Sequence, residues 1–92
     1  MTRVHMVIFG HVQGVFFRQS TKQKAEGVGV RGWVRNRTNG TVEVVAEGSV
    51  EAVDSLASWC QRGPEMARVD RVERVDEEPA GLPEGFDVRP TI

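Results

Sequence analysis

Between Gly10 and Arg18 the chain reads Gly10-His11-Val12-Gln13-Gly14-Val15-Phe16-Phe17-Arg18. Two glycines bracket a short loop that leads into a helix-forming segment. Glycine lets successive backbone N–H groups turn toward one point, which makes a nest for an anion. A helix start adds unpaired N–H groups and the positive end of the helix dipole. Arg18 falls in the first turn of that segment, where its planar guanidinium can fork onto two oxygens of one anion. Phosphate or carboxylate is the natural guest of such a site. Further along stands Asn36, at the end of a strand-like run. A neutral amide donates and accepts at once, so it can hold a water beside the anion. An Asp there would repel a phosphate. Both features also have a plain reading. Gly10–Arg18 can be an ordinary strand-to-helix connection with a surface arginine, and Asn is common at strand ends and in turns.

The flanking elements must position these residues. Val4-His5-Met6-Val7-Ile8-Phe9 is apolar and β-branched and stops at Gly10, which predicts a buried strand. From Phe17 to Glu26 the positions Phe17, Thr21, Ala25 and Val28 recur at helical spacing, with Lys22, Lys24 and Glu26 off that line. This predicts an amphipathic helix stopped by Gly27. Val28–Asn36 and Thr41–Glu47 follow as strands, the second with Val42, Val44 and Ala46 inward and a mostly wet opposite face. The Asn39-Gly40 pair between them predicts a hairpin, because both residues tolerate positive φ. Ser49 caps a second helix with Glu51 in its first turn and an apolar stripe at Val53, Leu56, Ala57 and Cys60. Gly63-Pro64 ends it.

Arg68–Asp76 places Val69, Val72 and Val75 three apart, which fits a strand only if it carries a bulge. Phe86–Arg89 is a short final strand. The expected fold is therefore α+β: a ferredoxin-like α/β sandwich in the order β-α-β-β-α-β with a short extra C-terminal strand. Two helices would cover one face of an antiparallel sheet. That fold serves many functions and does not by itself decide one.

Length and composition narrow the field. The 92 residues suffice for one domain, 1–92, and not for two. With 39% hydrophobic and 27% charged residues, the composition is that of a globular protein and not of a disordered or disulfide-built one. No apolar run approaches the roughly 20 residues of a membrane span. Met6–Phe9 is too short for the apolar core of a signal peptide. The single Cys60 forms no internal disulfide and no cysteine metal cluster, so a cytoplasmic location is expected. The net charge of -1 argues against a polyanion-binding surface. Yet residues 1–40 carry seven basic and one acidic side chain and residues 41–92 carry five and twelve, so the halves stand at +6 and −7. Strands interleave in this fold, and most of that split should disperse in space.

The long stretch Gly10–Arg18 resembles the first signature of the acylphosphatase family, G-x-V-Q-G-V-x-F-R. Gly32-Trp33-Val34-Arg35-Asn36-Arg37-Thr38-Asn39-Gly40-Thr41-Val42-Glu43 resembles the second, G-W-V-x-N-x-x-x-G-x-V-E. Ala25, Gly27, Gly29, Gly48, Gly63-Pro64, Ala67 and Val69 also fall where the family pattern has them. The likeness spans about residues 4–90. Asn39 stands where Asp is common, and neither Arg18 nor Asn36 departs from the pattern.

The resemblance implies hydrolysis of a carboxylic-phosphoric mixed anhydride to carboxylate and phosphate. It implies that His11, Val12, Gln13, Gly14, Val15, Phe16, Phe17 and Arg18 cradle the phosphate, the backbone through its N–H groups and Arg18 through its side chain. Asn36 would orient the attacking water. It further implies no cofactor, no metal, a monomer, and a small acyl phosphate as partner, with inorganic phosphate as product and inhibitor. Neither nucleic acid nor membrane is expected as a partner.

So few groups suit this chemistry. An acyl phosphate leaves as a carboxylate, a weak base that needs no general acid, so positioning and electrostatics suffice. The signatures contain no carboxylate base, which leaves the substrate's own phosphate oxygen to take the water's proton. His11 is the rival base. Other chemistry-bearing residues read as structural: His5 along the first strand, Cys60 as a small buried hydrophobe, and Trp33 and Trp59 as core or packing residues. Phe16 lines the mouth of the site, while Phe17 packs its helix.

Two further functions remain to be distinguished. A nucleic-acid-binding module would use Arg31, Arg35 and Arg37, but no strand carries the paired aromatics that stack bases. A non-catalytic anion sensor would bind phosphate without turnover.

Overall fold

A computed structural model describes residues 1–92. The elements run β1 (Thr2–His11), α1 (Phe17–Val28), β2 (Arg31–Asn36), β3 (Val42–Gly48), α2 (Val50–Cys60), β4 (Arg68–Glu77) and β5 (Phe86–Val88). The strands form one sheet in the order β4-β1-β3-β2-β5. β1 pairs antiparallel with β3 and β4, and β2 pairs antiparallel with β3. β5 lies parallel to β2, so the sheet is mixed and not wholly antiparallel as expected. The connection after β4 crosses one end of the sheet, and β5 must then run back the other way. That is the direction of β2.

The helices cover one face. Val4, Met6 and Ile8 of β1, Val42, Val44 and Ala46 of β3, and Val34 of β2 are fully buried there. They meet Phe17 and Ala25 of α1 and Val53, Leu56, Ala57 and Cys60 of α2. α1 lies over β2 and β5, and α2 over β1 and β3. Ser49 caps α2 as expected, its hydroxyl accepting from the Ala52 N–H at 3.1 Å. The Gly63 N–H closes the end of α2 on the Trp59 carbonyl at 2.8 Å.

Five local expectations need correction. α1 does not stop at Gly27; it runs to Val28 and is capped by Gly29, whose φ of 81° is left-handed and whose N–H reaches the Ala25 carbonyl at 2.9 Å. A single glycine inside a helix costs only about 1 kcal/mol, so the helix passes through it. β2 accordingly begins at Arg31 and not at Val28. β1 continues through Gly10 to His11, because β4 stays paired with it.

β3 is buried on both faces, and its outer face is not wet. Glu43 is roofed by His5, Arg35 and Arg37, and Glu47 by the N–H groups of Ala80 and Gly81. The Ala80 N–H, helped by that of Gly81, holds the Glu47 carboxyl below its usual range. In the hairpin only Gly40 has positive φ; Asn39 instead accepts from the Thr41 N–H and hydroxyl through its side chain.

The bulge in β4 is present. Phe9 pairs with Arg71 and Gly10 with Val69, which leaves Asp70 as the extra residue. It brings Val69 and Val72 to one face, where both pack on the core. Val75 falls on the outer face and is exposed. Gly10 faces the bulge at such close range that a Cβ there would lie 2.1 Å from the Arg68 carbonyl oxygen.

Candidate active site

A pocket of about 390 Å³ lies at the N-terminus of α1. Val12, Gly14, Phe16, Phe17, Arg18, Gln19, Asn36 and Val88 line it. The two signature segments, separate in sequence, therefore meet in one place. β1 delivers the loop, α1 starts at its rim, and the last residue of β2 forms the opposite wall.

The loop reaches the helix through two left-handed residues, Gly14 at φ 75° and Phe16 at φ 63°. Phe16 is the single non-glycine residue of the chain with positive φ. As the N-cap it offers no side-chain acceptor to the helix, and the first turn of α1 has no acidic residue. None of the backbone–backbone hydrogen bonds of the turns, loops and caps is donated by Val12 through Gln19. The N–H groups of this run thus have no acceptor within the protein, and the positive end of the helix dipole lies at the pocket.

Arg18 adds a full charge. It enters no ion pair and no side-chain hydrogen bond, so its guanidinium is not committed elsewhere in the protein. Asn36 is 9% exposed, and its Oδ1 is buried with no hydrogen-bond partner. A buried amide oxygen left unpaired normally costs stability. The Asn36 backbone is held by the C-terminal segment, with the Ile92 N–H donating to its carbonyl at 3.2 Å.

The remaining residues of the loop support it. Gln13 does not line the pocket; its Nε2 donates to the carbonyls of Arg37 and Thr41 at 2.7 and 2.9 Å and ties the loop to the hairpin. Val15 is buried in the core. Phe17 is buried with its ring 5.6 Å from that of Trp59, so it joins α1 to α2 as well as lining the pocket. Phe16 is 76% exposed at the rim, as expected for a residue of the mouth. His11 ends β1 exposed and outside the pocket lining.

Two lining residues escaped sequence reasoning. Gln19 had a usable signal, its place beside Arg18 in the first helical turn. Val88 had none, because only the parallel pairing of β5 with β2 brings it there.

Elsewhere His5 and Cys60 are structural, as expected. His5 bonds Glu43 at 2.6 Å, and burial pushes the Cys60 thiol up to about 12. Trp33 is not in the core. It lies on the outer face between the guanidinium groups of Arg35 and Arg89, at 4.6 and 4.7 Å. Arg35 and Arg37 are both engaged by Glu43, and Arg31 by Glu84, which leaves no unpaired basic stripe on β2. No group of three or more His, Cys, Asp or Glu side chains is placed to hold a metal ion.

Comparison with known proteins gives the family. The acylphosphatase family model matches residues 4–88. The chain is 57% identical over 88 residues to an acylphosphatase of Rubrobacter xylanophilus, covering 95% of this chain and 79% of that one. It is 55% identical over 86 residues to an acylphosphatase of Thermococcus kodakarensis, covering 94% and 93%. Its fold superposes on the crystal structure of acylphosphatase from Bacillus subtilis with a TM-score of 0.93, at 28% identity and covering 97% and 99% of the two chains. With both signatures gathered around one pocket and the match running almost end to end, the chain belongs to the acylphosphatase family.

Proposed function

We propose that the N–H groups of the loop running into Arg18, together with the Arg18 guanidinium, hold the phosphoryl group of an acyl phosphate, and that Asn36 orients the water that attacks it. The enzyme is an acylphosphatase, a hydrolase of the carboxylic-phosphoric anhydride bond. One observation carries the assignment of residues: Arg18, whose guanidinium is uncommitted, and Asn36 line a single pocket beside a loop whose N–H groups have no backbone acceptor.

The chemistry follows from charge. The equatorial phosphoryl oxygens gather negative charge in the transition state, and donors already in place stabilise it without reorganising. The water oxygen bonds to phosphorus in line with the leaving oxygen. The bond from phosphorus to the acyl oxygen breaks, and its electron pair departs on the carboxylate. The water's proton passes to a phosphate oxygen of the substrate. His11 lies outside the pocket lining, which favours this route over a histidine base. Inorganic phosphate, the product, fits the same donors and is read as an inhibitor.

The rest of the proposal is that residues 1–92 form one domain that works as a monomer without metal, in the cytoplasm. No helix is long and apolar enough to cross a membrane. The test is hydrolysis of acetyl or benzoyl phosphate in excess EDTA, with Arg18→Gln assayed beside the wild type. Turnover should survive the chelator and vanish in the variant. Phosphate binding without turnover would make the chain an anion sensor, and activity lost with EDTA would overturn the metal-free route.

A further inference from the structure

Glu43 stands on the face of β3 turned away from the pocket, 4% exposed, and takes no part in the steps above. Its carboxylate accepts from Arg35 Nε at 2.6 Å, Arg37 Nη2 at 2.7 Å and His5 Nε2 at 2.6 Å. A buried cluster of this kind is poor evidence of a stabilising role, because desolvation of the charges offsets much of their attraction. Its placement is more informative. Arg35 is the direct cross-strand partner of Glu43, so both side chains point outward. Asn36 comes next and points the other way, into the pocket. Arg37 follows and returns to the outer face to reach the same carboxylate. One buried anion therefore grips both neighbours of Asn36 from behind the sheet. From the loop side, Gln13 holds the Arg37 carbonyl at 2.7 Å.

We propose that Glu43 is a positioning residue for the hydrolytic water: by clamping Arg35 and Arg37 it fixes the strand end that carries Asn36. This rests on the role given to Asn36 above. A small displacement of a group that aligns a reacting water lowers the rate steeply, while a loop that binds phosphate through its own N–H groups is left intact.

The experiment is Glu43→Gln, which keeps the size and removes the charge. Turnover of acetyl phosphate and inhibition by inorganic phosphate are measured where circular dichroism shows the variant folded. The expected result is kcat lower by roughly 10-fold, with the inhibition constant for phosphate within about 2-fold of wild type. In an Asn36→Ala background, Glu43→Gln should lower kcat no further, because the two changes remove one alignment.

Arg37→Gln removes one of the two flanking grips and carries the test if Glu43→Gln does not fold; it should show the same pattern. An unchanged kcat in a folded variant overturns the proposal, as does an undiminished loss in the Asn36→Ala background. A wild-type kcat in Asn36→Ala alone overturns the role of Asn36 and this inference with it. Absence of turnover in the wild type overturns the hydrolytic function itself.

Discussion

Arg18 and Asn36 divide the work of the pocket between charge and alignment, and their variants should separate the two. Arg18→Gln keeps hydrogen-bonding capacity but loses the charge and the planar fork. Losing one preorganised donor typically costs roughly 10²–10³ in rate, so kcat should fall by at least that much, and inhibition by phosphate should disappear. Asn36→Ala should lower kcat while phosphate inhibition stays near wild type, because the alanine removes the water's partner and none of the phosphate's. Steady-state kinetics with phosphate as inhibitor checks both, and equal loss of phosphate inhibition in Asn36→Ala would refute the division. At this scale the sequence was legible because donors and anion ligands cluster in one contiguous stretch, Gly10–Arg18. Asn36 gained meaning only through the second signature. Val88 was not legible at all, since a short C-terminal valine carries no sign of which strand it will join.

The elements show the same limit in a different form. The other strands and both helices were readable from periodicity and punctuation, β4 only from its β-branched residues and the strand the topology needs there, and the choice between neighbouring glycines was not readable. Gly27 and Gly29 both look like helix stops. The cap belongs to the one that adopts left-handed geometry, and that is Gly29 at φ 81°. Gly27 sits in the helix with open space around its Cβ position. The two should therefore respond to alanine with opposite signs. Gly27→Ala should stabilise by about 0.5–1 kcal/mol through lost freedom of the unfolded chain. Gly29→Ala should destabilise by about 1–2 kcal/mol, because a Cβ is strained in that conformation. Urea unfolding of the pair decides it, and a loss of stability in Gly27→Ala would count against the observed helix end. Gly10 is the sterner case. A Cβ there would meet the Arg68 carbonyl oxygen, so Gly10→Ala should displace the bulge or the loop and lower both stability and kcat.

Across the whole molecule, the charge split between the halves of the chain is resolved by topology. Arg3 pairs with Glu77, Arg31 with Glu84, and Arg35 and Arg37 with Glu43, so basic residues of the first half meet acids of the second. Most of these pairs are exposed enough to matter little for stability. Glu43 is the exception, since its side chain is 6% exposed. Burial pushes its carboxyl up, but hydrogen bonds from Arg37, His5 and Arg35 outweigh that and lower it from 4.5 to about 2. A carboxyl whose folded value lies below its unfolded one binds protons more readily when unfolded. Its contribution is therefore full above about pH 4.5 and is lost as pH falls toward about 2. Wild-type stability should drop across that acid range, and Glu43→Gln, which has no proton to take up, should show a clearly shallower drop from a lower plateau. Urea unfolding at a series of pH values between 2 and 6 measures both slopes, a window set by the two carboxyl values. Parallel curves for the two proteins would mean that the acid sensitivity comes from other carboxylates, with Glu47 under the Ala80 and Gly81 N–H groups the next to be replaced.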